Sequence, residues 1–131
     1  MKDIQNAIFP LGTDGDDNIM GTSGSDHIAS FSGTDIVNGL AGNDKILSGS
    51  GVDTINGGDD HYIYGYAGSD VLAGDADADE ILGGLDNDTI RGGAGNDDHR
   101  SEEGNDTIYS GTGSDTVTGG LGDDTIVIDD L

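Results

Sequence analysis

The chain of 131 residues sets 27 acidic side chains against four basic ones, a formal charge of −23, and holds 25 glycines and no cysteine. Such acidity excludes direct binding to nucleic acid or to anionic membranes, and the lack of cysteine excludes disulfides and thiolate sites. The length fits one domain, and no apolar run is long enough to span a bilayer, so membrane insertion is not expected.

The opening residues, Met1 to Gln5, lack the apolar stretch of a secretory signal peptide. Ala7-Ile8-Phe9-Pro10-Leu11 is expected to cover an exposed first coil, which makes residues 1–11 an N-terminal cap. From Gly12 to Val127 the chain repeats every nine residues as G-G-x-G-x-D-x-U-x, with U a large aliphatic. Asp17, Asp26, Asp35, Asp44, Asp53, Asp70, Asp79, Asp88, Asp97, Asp106, Asp115 and Asp124 carry the period. An aliphatic residue follows two places after eleven of these twelve, from Ile19 and Ile28 to Val117 and Ile126. Two places before them stands glycine, except at Asp77 and Asp86. Gly119-Gly120-Leu121-Gly122-Asp123-Asp124-Thr125-Ile126-Val127 is a clean unit. The frame is one residue short of thirteen nonapeptides, and the loss falls in Gly57 to Tyr64, where the aspartate rank fails. Repetition of this kind fixes the architecture before any other feature.

Glycines at the first, second and fourth places admit positive φ, so six residues can close a tight turn with amides and carbonyls directed inward. The remaining x-U-x suits a very short strand whose middle side chain faces in. Two units then make one coil, and coils stacked about 4.8 Å apart give two parallel sheets and a rod about 30 Å long. The expected fold is all-β, a parallel β-roll (β-solenoid) of short strands and glycine-rich turns over residues 12–127, irregular at 57–64.

Aspartates eighteen residues apart superpose in such a stack. Asp17, Asp35, Asp53, Asp70, Asp88, Asp106 and Asp124 share one edge; Asp26, Asp44, Asp79, Asp97 and Asp115 share the other, with a gap after Asp44. Carboxylates about 5 Å apart repel by roughly 1–3 kcal/mol per pair, so both edges need cations. A hard divalent ion between successive turns would take about six oxygens, from two aspartates and four turn carbonyls. Oxygen-only donors argue against zinc and copper, and magnesium, which keeps water and a strict octahedron, fits a carbonyl-lined turn poorly. About nine ions, about six on the first edge and three on the second, would leave a charge near −5. One inward aliphatic per nine residues is a thin core for so glycine-rich a chain. Metal binding is therefore expected to supply folding free energy, and the metal-free chain to be disordered.

With this repeat the chain resembles the repeats-in-toxin (RTX) family of calcium-binding proteins over nearly its whole length. The resemblance implies a β-roll with Ca2+ as the ion. Beside the aspartates it implies backbone carbonyls from Gly12, Gly15, Gly21, Gly24, Gly33, Gly39, Gly42, Gly51, Gly83, Gly92, Gly95, Gly104, Gly113, Gly119 and Gly122 as ligands. It further implies export from a Gram-negative-type bacterium through an uncleaved C-terminal signal. Residues 128–131 are too short for that signal, so the expectation is a module of a larger secreted protein, folding in external calcium.

Several features have duller readings. Asp75-Ala76-Asp77-Ala78-Asp79 resembles an EF-hand loop, but Glu80 stands where glycine is needed and Asp86 where glutamate is. His99 occupies a U place; a metal-binding or pH-sensitive histidine is weighed against a tolerated defect with the ring displaced outward, and the defect is favoured. Tyr62, Tyr64 and Tyr66 cluster near Leu47 and Leu82 as a candidate surface for a protein partner or self-association; the chain is otherwise expected as a monomer. Asn87 and Asn105 match a glycosylation pattern but sit in expected ligand turns. No catalytic constellation appears, and no enzyme is expected. The alternative to a calcium-folded module is an adhesin or ice-binding solenoid segment. Against ice binding, Ile36 and Val71 interrupt the seventh-place row of Thr54, Thr89, Thr107 and Thr125.

Overall fold

The computed structural model of the chain describes residues 11–128. Among the described residues there are thirteen strands and no helix. They are β1 (Asn18–Met20), β2 (His27–Ala29), β3 (Ile36–Leu40), β4 (Asp44–Leu47), β5 (Thr54–Gly58), β6 (His61–Ala67), β7 (Val71–Ala76), β8 (Glu80–Leu85), β9 (Thr89–Ala94), β10 (Asp98–Glu103), β11 (Thr107–Tyr109), β12 (Thr116–Thr118) and β13 (Thr125–Val127). Odd strands form one sheet of seven and even strands one of six, each in sequence order and all parallel. Two nonapeptides thus make one coil, and the chain is the expected β-roll.

The register follows the aliphatic period. Ile19, Val37, Ile55, Leu72, Ile90, Ile108 and Ile126 are mutual partners up the odd sheet. Ile28, Ile46, Ile63, Ile81, His99 and Val117 are partners up the even sheet. Ten of these aliphatics form one buried core, with Val117 packed against it. Each strand turns at most one aliphatic side chain inward, so among the described residues the two facing columns make the apolar core. The shortened unit is absorbed in its turn: Ile46 pairs with Ile63 across 17 residues and Ile63 with Ile81 across 18. Ile63 therefore keeps its inward place.

Three expectations are corrected. The strands exceed three residues in the middle of the roll, reaching seven in β6, because the second and third places of the turns pair in parallel as well, as Tyr66 with Gly84 and Ala67 with Leu85. His99 is not displaced outward; it stands in the core column, fully buried, between Ile81 and Val117. Positive φ belongs to the second and fourth places, as at Gly49, Gly58, Gly33 and Gly51, and not to the first. Phe31, Leu40, Tyr66, Asp75 and Glu102 at the second place, and Asp77 and Asp86 at the fourth, hold the same left-handed φ without being glycine. Stacking enforces the turn there, at a cost on the order of 1–3 kcal/mol each. Of the cap, only Leu11 lies among the described residues, bridging to Ala29; residues 1–10 and 129–131 lie outside them.

Candidate metal sites

The aspartate ranks form two ladders. Within each, the backbone N–H of one aspartate donates to Oδ1 of the aspartate one coil on: Asp35 to Asp53 at 2.9 Å, Asp70 to Asp88 at 2.8 Å, Asp88 to Asp106 at 2.7 Å. On the even edge Asp26 donates to Asp44 at 2.8 Å, and Asp79 to Asp97 and Asp97 to Asp115 at 3.0 Å. The odd ladder runs from Asp17 to Asp124, crossing the shortened unit from Asp53 to Asp70 at 2.8 Å. This amide-to-carboxylate stitching was not read from the sequence, because the period reports which side chains superpose and not where each oxygen points.

With Oδ1 engaged, Oδ2 turns inward. The Oδ2 atoms of Asp35, Asp53, Asp70, Asp79, Asp88, Asp97 and Asp106 are buried and have no hydrogen-bond partner. The first place of each unit lies beside this oxygen. A Cβ on Gly83 would stand 2.5 Å from Asp88 Oδ2 and 2.9 Å from the Ser101 carbonyl of the next coil; on Gly65 it would meet Asp70 Oδ2 at 2.7 Å and the Gly83 carbonyl. Gly12, Gly21, Gly39, Gly74, Gly92 and Gly119 abut their own aspartates' Oδ2 in the same way. A carboxylate oxygen and a carbonyl oxygen thus converge on a space kept open by a missing side chain. Seven unpartnered buried anionic oxygens require a counter-charge, since a bare buried carboxylate is strongly disfavoured. Among the described residues no three His, Asp or Glu side chains are grouped to hold a metal, so any cation here must be completed by backbone oxygens. That donor set is the one a hard, oxygen-seeking ion takes.

The electrostatics agree. Burial pushes the Asp79 carboxyl up to about 8, and those of Asp70 and Asp88 up to about 7, with repulsion from neighbouring carboxylates adding to it. Burial likewise raises Asp44, Asp53 and Asp97.

The fourth-place glycines named from the sequence lie elsewhere in the turn. Gly33, Gly42, Gly51, Gly95, Gly104, Gly113 and Gly122 pack against the fourth-place carbonyl of the preceding coil, where a Cβ would collide with backbone. Gly15 has only Thr13 Oγ1 nearby, at 3.7 Å. Serine replaces glycine at four first places, Ser30, Ser48, Ser101 and Ser110, all buried. Ser30 and Ser48 donate to the Ser48 and Gly65 carbonyls at 2.7 Å, and Ser101 to that of Gly119 at 2.5 Å. At the first coil, threonine supplies the partner instead: the Thr13 and Thr22 amides and hydroxyls bond Oδ2 of Asp17 and Asp26. Outside the aspartates, fifth-place side chains make a second ladder. Asn87 Oδ1 accepts the Asn105 amide and Asn105 Oδ1 the Asp123 amide, both at 2.8 Å.

The shortened unit brings a residue that sequence reading passed over. His61, not Asp60, pairs with Asp44 and takes the aspartate rank. Its amide donates to Asp79 Oδ1 at 2.8 Å, as an aspartate's would, and its Nε2 lies 2.9 Å from Asp44 Oδ2. With one turn residue deleted and Ile63 kept inward, the place two before it, the aspartate's, falls to His61. His99, by contrast, buries both ring nitrogens without a hydrogen bond, and burial lowers its pKa. The tyrosines do gather: Leu47, Tyr64 and Leu82 are register neighbours, and the Tyr64 and Tyr66 rings meet edge-on at 6.3 Å.

Fold and site together define a parallel β-roll whose turns converge oxygens on repeated cation-sized gaps. A family model for the RTX calcium-binding nonapeptide repeat matches the chain in four copies, over residues 11–46, 30–63, 64–98 and 101–127. The chain belongs to that family and is a module of calcium-binding repeats. Comparison with curated proteins gave no match.

Proposed function

We propose that this chain is a calcium-dependent folding module that assembles outside the cell as part of a larger secreted protein. The observation that carries the reading is the row of seven buried, unpartnered Oδ2 atoms, of which those of Asp70, Asp79, Asp88 and Asp97 lie beside a first-place glycine and a carbonyl of the next coil. Asp17, Asp26, Asp35, Asp44, Asp53, Asp70, Asp79, Asp88, Asp97, Asp106, Asp115 and Asp124 hold the ions with turn carbonyls, at about nine positions. Calcium neutralises a charge of −23 that the empty roll would have to confine along two edges. In a low-calcium interior the same charge keeps the chain unfolded and fit for export; external calcium then folds residues 12–127 as one domain.

Glycine at the first place is needed for space and not for conformation. The aspartates supply charge, the amide ladder fixes where each Oδ2 points, and calcium supplies the missing attraction between coils. The output of the module is a folded rod for an attached domain. The outward row of Tyr62, Tyr64 and Tyr66 gives this rod an aromatic surface for a partner or a second copy. Equilibrium dialysis tests the reading: about nine calcium ions per chain are expected with excess magnesium present, and fewer than about four would contradict it.

A further inference from the structure

On the even edge the cradle of Asp44 is filled from within by a hydrogen-bonded imidazole. At seven buried aspartates Oδ2 has no partner, but Asp44 Oδ2 has one: His61 Nε2, at 2.9 Å, with both side chains fully buried. A Cβ built on Gly39 would meet Asp44 Oδ2 at 2.6 Å, the Gly57 carbonyl at 2.7 Å and His61 Nε2 at 3.2 Å. The imidazole nitrogen therefore reaches the gap between a carboxylate and a carbonyl; at Gly92 the nearest atom is likewise an imidazole nitrogen, His99 Nε2, but that one stands 4.0 Å from Asp97 Oδ2 and makes no hydrogen bond. One coil on, a Cβ on Gly57 would meet the His61 ring itself, Cγ at 3.0 Å and Nδ1 at 3.1 Å, with the Gly74 carbonyl at 3.2 Å. His61 Nδ1 is 3.5 Å from Asp79 Oδ1, which already accepts the His61 amide. One side chain thus occupies space in two successive cradles and removes a negative charge from both.

Calcium takes oxygen ligands and gains little from a nitrogen. With its proton on Nε2, the imidazole donates to the oxygen a cation would otherwise neutralise. We infer that His61 is an internal substitute for calcium: it keeps the ion out of the two even-edge cradles on either side of it and joins those coils by a hydrogen bond instead. The ion row of the even edge is then split into a segment at Asp26–Asp44 and a segment at Asp79–Asp115, while the odd edge runs unbroken past the joint. The joint coincides with the longest strand, β6, whose pairing with β4 and β8 holds the coils in register without help from an ion.

This inference rests on the calcium reading of the remaining cradles, and the test separates the two. Calcium bound per chain is measured by equilibrium dialysis for the wild type, His61→Asp and His61→Ala. Restoring the aspartate should raise the number by about one or two ions. His61→Ala, which empties the place without supplying a carboxylate, should add none and should need more calcium to fold. A folded His61→Asp chain that binds no more calcium than the wild type would overturn the inference. A wild type that binds no calcium would instead overturn the reading on which it rests. Should His61→Asp fail to fold, nitrogen NMR of the calcium-saturated wild type decides. An Nε2-bound, slowly exchanging proton on His61 supports the substitute, whereas an Nε2 without a proton contradicts it.

Discussion

A carboxylate in this roll has two oxygens with different work. Oδ1 of Asp88 accepts the Asp70 amide and is satisfied without any ion, while Oδ2 is buried beside Gly83 and the Ser101 carbonyl with no partner. Asp88 itself donates to Asp106, so it stands mid-ladder with a cradle on each side. Asp124 ends the ladder, accepting from Asp106 with no coil following among the described residues. Asp88→Ala should therefore disturb two ion positions and Asp124→Ala one. The calcium midpoint of folding should rise at least about twice as far for the former, because a solenoid couples only neighbouring coils. Equal shifts in a calcium titration would break the assigned stacking. The twelve aspartates were legible because a strict period of nine leaves no other explanation. His61 was not, because a single deletion moves it into the rank while its type suggests a bystander. The inward His99 was likewise hidden: the period places it in the core column, but an imidazole there buries two unpartnered nitrogens, a cost on the order of 1–3 kcal/mol that chemistry alone argues against.

At the scale of the turn, glycine serves two distinct ends. First-place glycines leave room for oxygens; second- and fourth-place glycines take up left-handed φ and let one turn rest on the next. Gly68 has φ of 124° and its Cβ would collide with the Gly51 carbonyl, whereas Gly15 lies outside the left-handed region with open space around it. Gly68→Ala should cost at least about 1–3 kcal/mol, read as a lower thermal midpoint in saturating calcium. Gly15→Ala should stay within about 0.5 kcal/mol of the wild type or gain slightly from a stiffer unfolded chain. Comparable losses at both positions would show that the fourth place is not governed by stacking. Strands were legible in number and inward residue, since the U place recurs with the aspartate. Their length was not: strand propensity marks x-U-x, but parallel pairing of the second and third turn places lengthens β6 to β10 beyond it.

For the whole molecule, proton and calcium compete for the same oxygens. The carboxyls of Asp70, Asp79 and Asp88 are raised in the metal-free roll to about 7, 8 and 7 from 3.8. A folded-state pKa above the unfolded one means the fold binds more protons. Their contribution to the empty roll is therefore fully present below about pH 3.8 and is lost as pH rises through about 7 to 8. Without calcium, β-structure should accordingly increase as pH falls from about 8 to about 5.5, and the calcium midpoint should be lower at about pH 8 than at about pH 6. Metal-free β-content that instead grows with pH would contradict the burial of these groups. The same competition explains why a chain of charge −23 is unsuited to folding alone at neutral pH.

The most direct test of that dependence is far-ultraviolet circular dichroism of the chain at neutral pH, titrated first with magnesium and then with calcium. The buried carboxylates and single-file core predict a disordered spectrum in chelator, little change with magnesium, and a cooperative rise of β-structure with calcium. A spectrum already rich in β-structure in excess chelator, unchanged by calcium, would contradict the account.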